Sequence, residues 1–368
     1  MKNKRIIIAG GTGFIGQELA RHFGKENHVV ILSRKSSHSS NNRYDDSMIK
    51  ASDGYNITYW RWDGKTVEKH WASAIDGSDI VINLAGQSVN CRYNKKNRDI
   101  ILRSRVDATT ALGLAISQAA HPPKLWINTA SATIYRSASD RPQDEFTGEI
   151  SEEKNKNMPY SILDRCRRNC KKSFAALSKG KDSADYKDLD KDFSIQVCLA
   201  WERAINEATV PHTRKIIFRT AVTLGSGGVM VPYFNLLKFG LGGRQGDGKQ
   251  MYSWVHIHDV CAAIEWCEAN ASMEGVYNLA APNPVSNMAF MATLRKLTGH
   301  VIGLPAYKWM LELGAAVIGT ETELILKSRW VLPSRLLQSG FQFQYPYLDQ
   351  AFGDILQQTK PSRYHLFK

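Results

Sequence analysis

A short β-branched run, Arg5-Ile6-Ile7-Ile8-Ala9, ends directly in Gly10-Gly11-Thr12-Gly13-Phe14-Ile15-Gly16, and residues 17–24 have helical composition. Glycines 10, 13 and 16 therefore stand where a strand turns into a helix. Each has a physical use there: one permits the tight turn, the next lets a pyrophosphate approach the backbone, and the third lets helix and strand pack closely. The first N–H groups of the helix then face the phosphates. A glycine turn alone says little, but strand, turn and helix in this order imply a dinucleotide site. Gly10, Thr12, Gly13, Phe14, Ile15 and Gly16 are the candidate phosphate-loop residues.

The end of the second strand chooses the ribose. An acidic residue there would accept from the 2′-hydroxyl of NAD, but the run at 29–32 leads into Ser33-Arg34-Lys35. An arginine can pair with a 2′-phosphate through a charge-assisted fork, and Ser33 adds a donor, so NADP is the expected cofactor. A solvated basic loop is the alternative. Asp63, after a third strand-like run at 57–60, either accepts from the adenine amino group or caps a turn.

Further strand-like runs at 80–84, 125–129, 215–219 and 276–279 are mostly separated by helix-length segments. Such alternation implies an α/β fold, a doubly wound parallel sheet of Rossmann type covered on both faces. Residues 36–52, rich in Ser and Asn, read as a loop. Residues 151–192, dense in Lys, Asp, Glu and Ser, read as an insertion with a short amphipathic helix at 162–177. From Pro282 onward the rhythm becomes mostly helical, with a turn at Gly340, as in a smaller second lobe.

Composition narrows the function classes. Six scattered cysteines make no disulfide framework, and no apolar stretch reaches the roughly 20 residues of a membrane span. Met1 to Arg5 runs straight into the first strand without a cleavage site, so a cytoplasmic chain is expected. The formal charge, 48 basic against 35 acidic residues or +13, admits a polyanionic partner. The basic clusters are short and sit in no nucleic-acid signature, so nucleic acid is not the expected partner. A protein partner docking through the basic insert at 151–192 stays open.

Gly10 to Gly16, Asn83-Leu84-Ala85-Gly86 and Ser131-Ala132-Thr133-Ile134-Tyr135 together resemble the extended short-chain dehydrogenase/reductases of the nucleotide-sugar epimerase type. Other segments are similar to one atypical branch, the epimerase-like family 39U with its C-terminal domain of unknown function. They are Ser104-Arg105, Trp201-Glu202, Gly240-Leu241-Gly242-Gly243, Ser253-Trp254-Val255-His256-Ile257-His258-Asp259, Leu332-Pro333 and Gly340-Phe341-Gln342-Phe343. The resemblance implies a Rossmann NADP-binding domain over 1–225 and a small substrate lobe over 226–368, with 253–280 returning to the first domain. It implies that Leu84, Ala85 and Gly86 line the cofactor, that Arg105 takes a helix position where relatives often carry asparagine and binds the cofactor from there, and that Thr223 lies near the nicotinamide. Arg105 as a structural ion-pair former is the alternative.

The departure from the family matters as much. Its active members use a Ser-Tyr-Lys constellation in which lysine lowers the tyrosine pKa for proton exchange with a substrate alcohol. Ser131 falls on the serine position and is the one candidate catalytic residue. Aligning Glu202 with the family glutamate puts Ser194 where tyrosine belongs and Cys198 where lysine belongs. Neither can do that work: serine is too weakly acidic, and an uncharged thiol cannot lower a neighbour's pKa. Tyr135 is the other aromatic within reach, and as a packed strand-end residue it would be closed to substrate.

His256-Ile257-His258-Asp259 offers two histidines that strand alternation would place on one face, but no ligand at metal spacing completes a site, and Asp259 reads as a helix N-cap. No metal is expected. Two functions remain: an NADP(H)-binding, epimerase-like oxidoreductase of unknown small-molecule substrate, or a non-catalytic NADP(H)-binding sensor or interaction protein.

Overall fold

A computed structural model describes residues 1–34, 54–150, 193–307, 310 and 326–366. The readings for 36–52 and 151–192 lie outside these residues. The apolar run Arg5–Ala9 forms β1, and the glycine turn delivers the chain into α1, Phe14–Phe23. Then come β2 (His28–Ser33), β3 (Ile57–Arg61), α2 (Lys69–Ile75), β4 (Ile80–Asn83), α3 (Lys95–Gln118) and β5 (Leu125–Ser131). After a short turn of helix at Ala132–Ile134 the described chain resumes with α4 (Phe193–Glu207) and β6 (Arg214–Thr220).

These strands and a later one, β10 (Gly275–Leu279), build a single sheet in the order β10-β6-β5-β4-β1-β2-β3. Every pairing in it is parallel, for example Ile7 with Val30 and with Val81. Both faces are covered, which is why the central strands are apolar runs without alternation. One core contains Ile6, Ile8, Val29, Ile31, Ile82 and Phe218 under α1 and the later helix α6 (Ile257–Ala269). The opposite core contains Ile7, Val30, Val81, Trp71, Leu112 and Trp126. Strand order reverses between β1 and β4, so the loops after these two strands open the crevice where ligands bind in such sheets.

Between β6 and β10 the chain adds β7 (Val222–Leu224), α5 (Met230–Lys238), β8 (Met251–Tyr252) and β9 (Trp254–His256). Past β10 come β11 (Val285–Ser286), α7 (Asn287–Thr298), α8 (Ser334–Gln338) and α9 (Leu348–Gln357). Phe234, Trp254, Phe290, Leu294, Phe352 and Ile355 close a third core around these helices. The C-terminal part is thus helical with two minimal ribbons, β7·β9 and β8·β11. Among the described residues no helix is long and apolar enough to cross a membrane.

Candidate active-site cleft

The glycine loop is shaped by backbone approach. Gly10 has φ +77°, and a Cβ there would lie 2.9 Å from the backbone of Ala85, so the turns after β1 and β4 touch. Gly16 lies against Gly11, where a Cβ would meet its Cα at 2.5 Å; this is the close packing of helix on loop. Gly13 is different. The nearest atom to a Cβ there would be Gly10 O at 3.7 Å, so this glycine keeps a surface open rather than filling one. The first helical N–H to bond inward is that of Gln17, to Gly13 O at 2.9 Å. The N–H groups of Phe14, Ile15 and Gly16 thus remain at the helix end, the cradle an anion needs. The residues present fit a dinucleotide. Phe14 plugs the far side, its ring against Gly225, Gly227 and Gly228.

The turn after β4 is held by a buried amide. Asn83 Oδ1 accepts from the Ala85 N–H at 3.0 Å, while its Nδ2 donates to Asn128 Oδ1 at 2.6 Å and Thr109 Oγ1 at 2.9 Å. Trp201 Nε1 donates to the same Thr109 hydroxyl, tying α3 to α4. Leu84 and Ala85 are set by this network at the lip of the crevice, with Gly86 exposed beside them. Arg105, on α3, folds its guanidinium against Gly86 and over the Trp201 ring at 5.1 Å. Burial lowers its pKa.

At the end of β2, Ser33 is buried and Arg34 is exposed. Asp63 Oδ1 accepts the backbone N–H groups of Lys65 and Thr66 at 2.9 and 2.8 Å, which is a turn cap. Partial burial works against its charge, but these donors hold its carboxyl below the usual range. Beyond β5, Ser131 Oγ accepts from the Thr133 N–H and donates to Thr133 Oγ1 at 2.9 Å, so two half-exposed hydroxyls stand together. Thr133 was not singled out from sequence; its place two residues after Ser131 was the available signal. Thr223 lies on β7, opposite Val255 and nearly buried.

The model of the NAD dependent epimerase/dehydratase family matches residues 6–176, and a domain of unknown function, DUF1731, matches 308–355. Over 356 residues the chain is 28% identical to the "Epimerase family protein SSP1921" of Staphylococcus saprophyticus, covering 96% of this chain and 99% of that one. It is 27% identical over 358 residues to the "Epimerase family protein YfhF" of Bacillus subtilis, with the same coverages. The solved human epimerase family protein SDR39U1, determined with NADPH, superposes with a TM-score of 0.71 at 25% identity, over 96% of this chain and 99% of that one. The chain is an epimerase-like short-chain dehydrogenase/reductase.

In this dehydrogenase/reductase, Ser194 and Cys198 both lie on α4. Cys198 is packed among Ala132, Ile134, Tyr135 and Val331, and burial pushes its thiol up to about 12. Tyr135 is 1% exposed. Its hydroxyl donates to Asn278 Oδ1 at 3.0 Å and accepts from Arg219 Nη1 at 2.9 Å. Burial raises its pKa, with Arg219 pulling the other way. Arg219 is itself paired with Glu202, a link between β6 and α4 that no sequence pattern announced.

Two details of the histidine motif differ from expectation. β9 stops at His256, whose side chain caps α6, so His258 lies in the helix and not on the same strand face. Asp259 is in the first turn; its carboxylate instead accepts the N–H groups of Gln344 and Tyr345 at 2.7 and 3.2 Å, fastening the C-terminal loop. The fold also supplies the carboxylate that sequence spacing lacked, because Asp354 of α9 comes within ligand distance of both histidines. His256 Nδ1 accepts from the His258 N–H, so the ring proton sits on Nε2, 3.2 Å from Asp354 Oδ2. That tautomer leaves no lone pair on Nε2 for a ligand, and the Nε2 proton, though near the carboxylate, is not aligned for a hydrogen bond with it.

Proposed function

We propose that the chain is an NADP(H)-binding oxidoreductase-like protein whose cofactor lies across the crevice between the β1 and β4 loops. The observation that carries this is the open surface at Gly13 beside a helix end with outward N–H groups, where the flanking Gly10 and Gly16 have no room for a side chain. Gly10, Thr12, Gly13, Phe14, Ile15 and Gly16 would hold the pyrophosphate. Leu84, Ala85 and Gly86 would line the middle of the cofactor, and Thr223 its nicotinamide end. Ser33 and the exposed Arg34 would take the 2′-phosphate, the feature that separates NADP from NAD. NADPH in the human relative supports the same choice. Asp63, already capping a turn, would have its remaining oxygen for the adenine amino group.

The nicotinamide supplies hydride transfer when bound. The chain's part is to present a substrate oxygen to Ser131, with the hydroxyl of Thr133 oriented by it. No Tyr-x-x-x-Lys pair backs Ser131 in this reading, because Ser194 and Cys198 stand on its positions and Tyr135 is sealed by Arg219 and Asn278. Turnover of generic alcohols or sugar nucleotides is expected to be slow, since positioned proton transfer is worth about 10²–10⁴-fold. The uncharged, buried Cys198 favours a second reading, a cofactor-dependent sensor without chemistry. Calorimetry with NADPH and NADH tests the first claim: NADPH should bind more tightly, and Arg34→Asp should narrow or reverse the preference. Equal affinities in the wild type would overturn it. A screen of NADPH consumption against carbonyl compounds, with Ser131→Ala, separates enzyme from sensor.

A further inference from the structure

Arg105 carries a cation that the described residues leave without a counter-anion. Its Nη1 donates to the carbonyls of Gln87 at 3.1 Å and Ile101 at 2.9 Å. Those two bonds fix the plane of the guanidinium and use one of its three nitrogens. Nε and Nη2 have no partner among the described residues, and no described carboxylate lies within ion-pair distance. Arg219 shows what this edge normally does: its Nε and Nη2 take both oxygens of Glu202 at 2.8 Å each. Arg105 is half-buried and its free edge still meets solvent, so an anion can reach that edge, and a partly desolvated charge gains from a partner. The neighbouring Cys198 thiol does not serve, since burial keeps it protonated.

The place of this edge says which anion it awaits. Arg105 rests against Gly86 and Trp201, on the side of the cleft where Cys198 packs with Ala132 beside Ser131. The phosphate cradle is elsewhere, at the β1 loop and Arg34. Val331 packs onto Cys198, and Arg329, two residues earlier in extended chain, projects on the same side. Its field reaches the same thiol. The fields of Arg105 and Arg329 thus meet at the Cys198 thiol, which packs with Ala132, the neighbour of Ser131.

We propose that the Nε/Nη2 edge of Arg105, supported by Arg329, is the subsite for an oxyanion carried by the second ligand, a carboxylate- or phosphate-bearing carbonyl or alcohol held next to Ser131. The inference rests on the NADP(H) reading of the cleft and adds the charge of the substrate to it. It also gives Gly86 a reason: a Cβ there would stand 3.0 Å from the guanidinium carbon and crowd it by a few tenths of an ångström.

The full-length chain saturated with NADPH should be titrated calorimetrically with inorganic phosphate and, separately, with succinate. Saturation blocks the cofactor's own phosphate sites, so a bound probe reports the second ligand's place. At least one probe should bind the wild type at one site, and Arg105→Gln should weaken it by about tenfold or more while leaving NADPH affinity within about twofold. Arg105→Lys, which keeps the charge and loses the fork, should fall between. If Arg105→Gln does not fold, Arg105→Lys decides: weakened probe binding supports the subsite and unchanged binding overturns it. Loss of NADPH affinity with the probe unaffected would assign Arg105 to the cofactor and overturn the proposal. Wild type that binds NADPH but neither probe removes the subsite alone. Wild type that binds no NADPH removes the cofactor reading and this inference with it.

Discussion

Arg219 grips Glu202 through both Nε and Nη2, each 2.8 Å from a different carboxylate oxygen, with both side chains about nine-tenths buried. The same arginine donates to Tyr135, so one ion pair joins β6, α4 and the segment after β5. Removing one member of a buried pair leaves the other's charge uncompensated. Glu202→Ala should therefore cost about 3–5 kcal/mol in urea denaturation. A loss under about 1 kcal/mol would mean that solvent reaches the pair.

The glycines of the β1 loop should separate folding from binding. Gly16→Ala forces a Cβ against Gly11 backbone and should destabilise the chain by about 1–3 kcal/mol. Gly13→Ala meets nothing closer than 3.7 Å and should leave stability within about 0.5 kcal/mol. Its methyl group would instead occupy the surface the pyrophosphate approaches, and NADPH affinity should fall by about tenfold or more. Thermal melts and calorimetry on the two variants check the contrast. Equal effects on both quantities would remove the special role of position 13.

Cys198 should behave as a packed apolar residue. Its thiol is pushed up to about 12 by burial, as is that of Cys267, whereas Cys91 is half-exposed. N-ethylmaleimide should label Cys91 in the native chain and spare Cys198, Cys261 and Cys267 until unfolding, by peptide mapping in a mass spectrometer. Labelling of Cys198 as fast as Cys91 would show that its thiol opens to the cleft.

The sheet was legible because each strand announces itself. Runs such as Ile6-Ile7-Ile8 and Val29-Val30-Ile31-Leu32 are apolar on both faces, which only a covered parallel sheet requires, and the glycine turn fixed where the first helix begins. The long-range side-chain contacts were not legible. Nothing local in sequence brings Arg219 to Glu202, Asp354 to His256, or Asp259 to the N–H groups of Gln344 and Tyr345. These pairs are separated by 17, 98 and 85 residues or more, and side-chain periodicity carries no information at such range. Asp259 shows the limit well: an acidic residue at the start of a helix reads as a cap, yet its oxygens are spent on another element while His256 caps α6.

The histidine cluster should set the acid stability of the C-terminal helix. Burial first, and the neighbouring His258 second, depress the pKa of His256 to about 4, against the pull of Asp354. An unfolded histidine titrates near 6.5, so between about 6.5 and 4 the unfolded chain binds the extra proton and the native one does not. The contribution of His256 to stability is therefore complete above pH 6.5 and is lost as pH falls through that window. Asp259 acts in the opposite sense, because burial raises its carboxyl to about 6. Its native form holds a proton that the unfolded carboxyl releases, so its share is present below about pH 4 and lost as pH rises toward 6. The wild type should consequently show little net slope, and the variants should expose each half. His256→Gln should remove the histidine's share, so that its stability deficit against wild type shrinks by roughly 2 kcal/mol between pH 7 and pH 4.5. Asp259→Asn should leave the histidine unopposed, and that variant should lose stability more steeply than wild type on acidification. Urea denaturation at four pH values across the window measures both slopes. Parallel curves for wild type and His256→Gln would show that His256 titrates as it does in water, and that its ring is not held in the interior by α9.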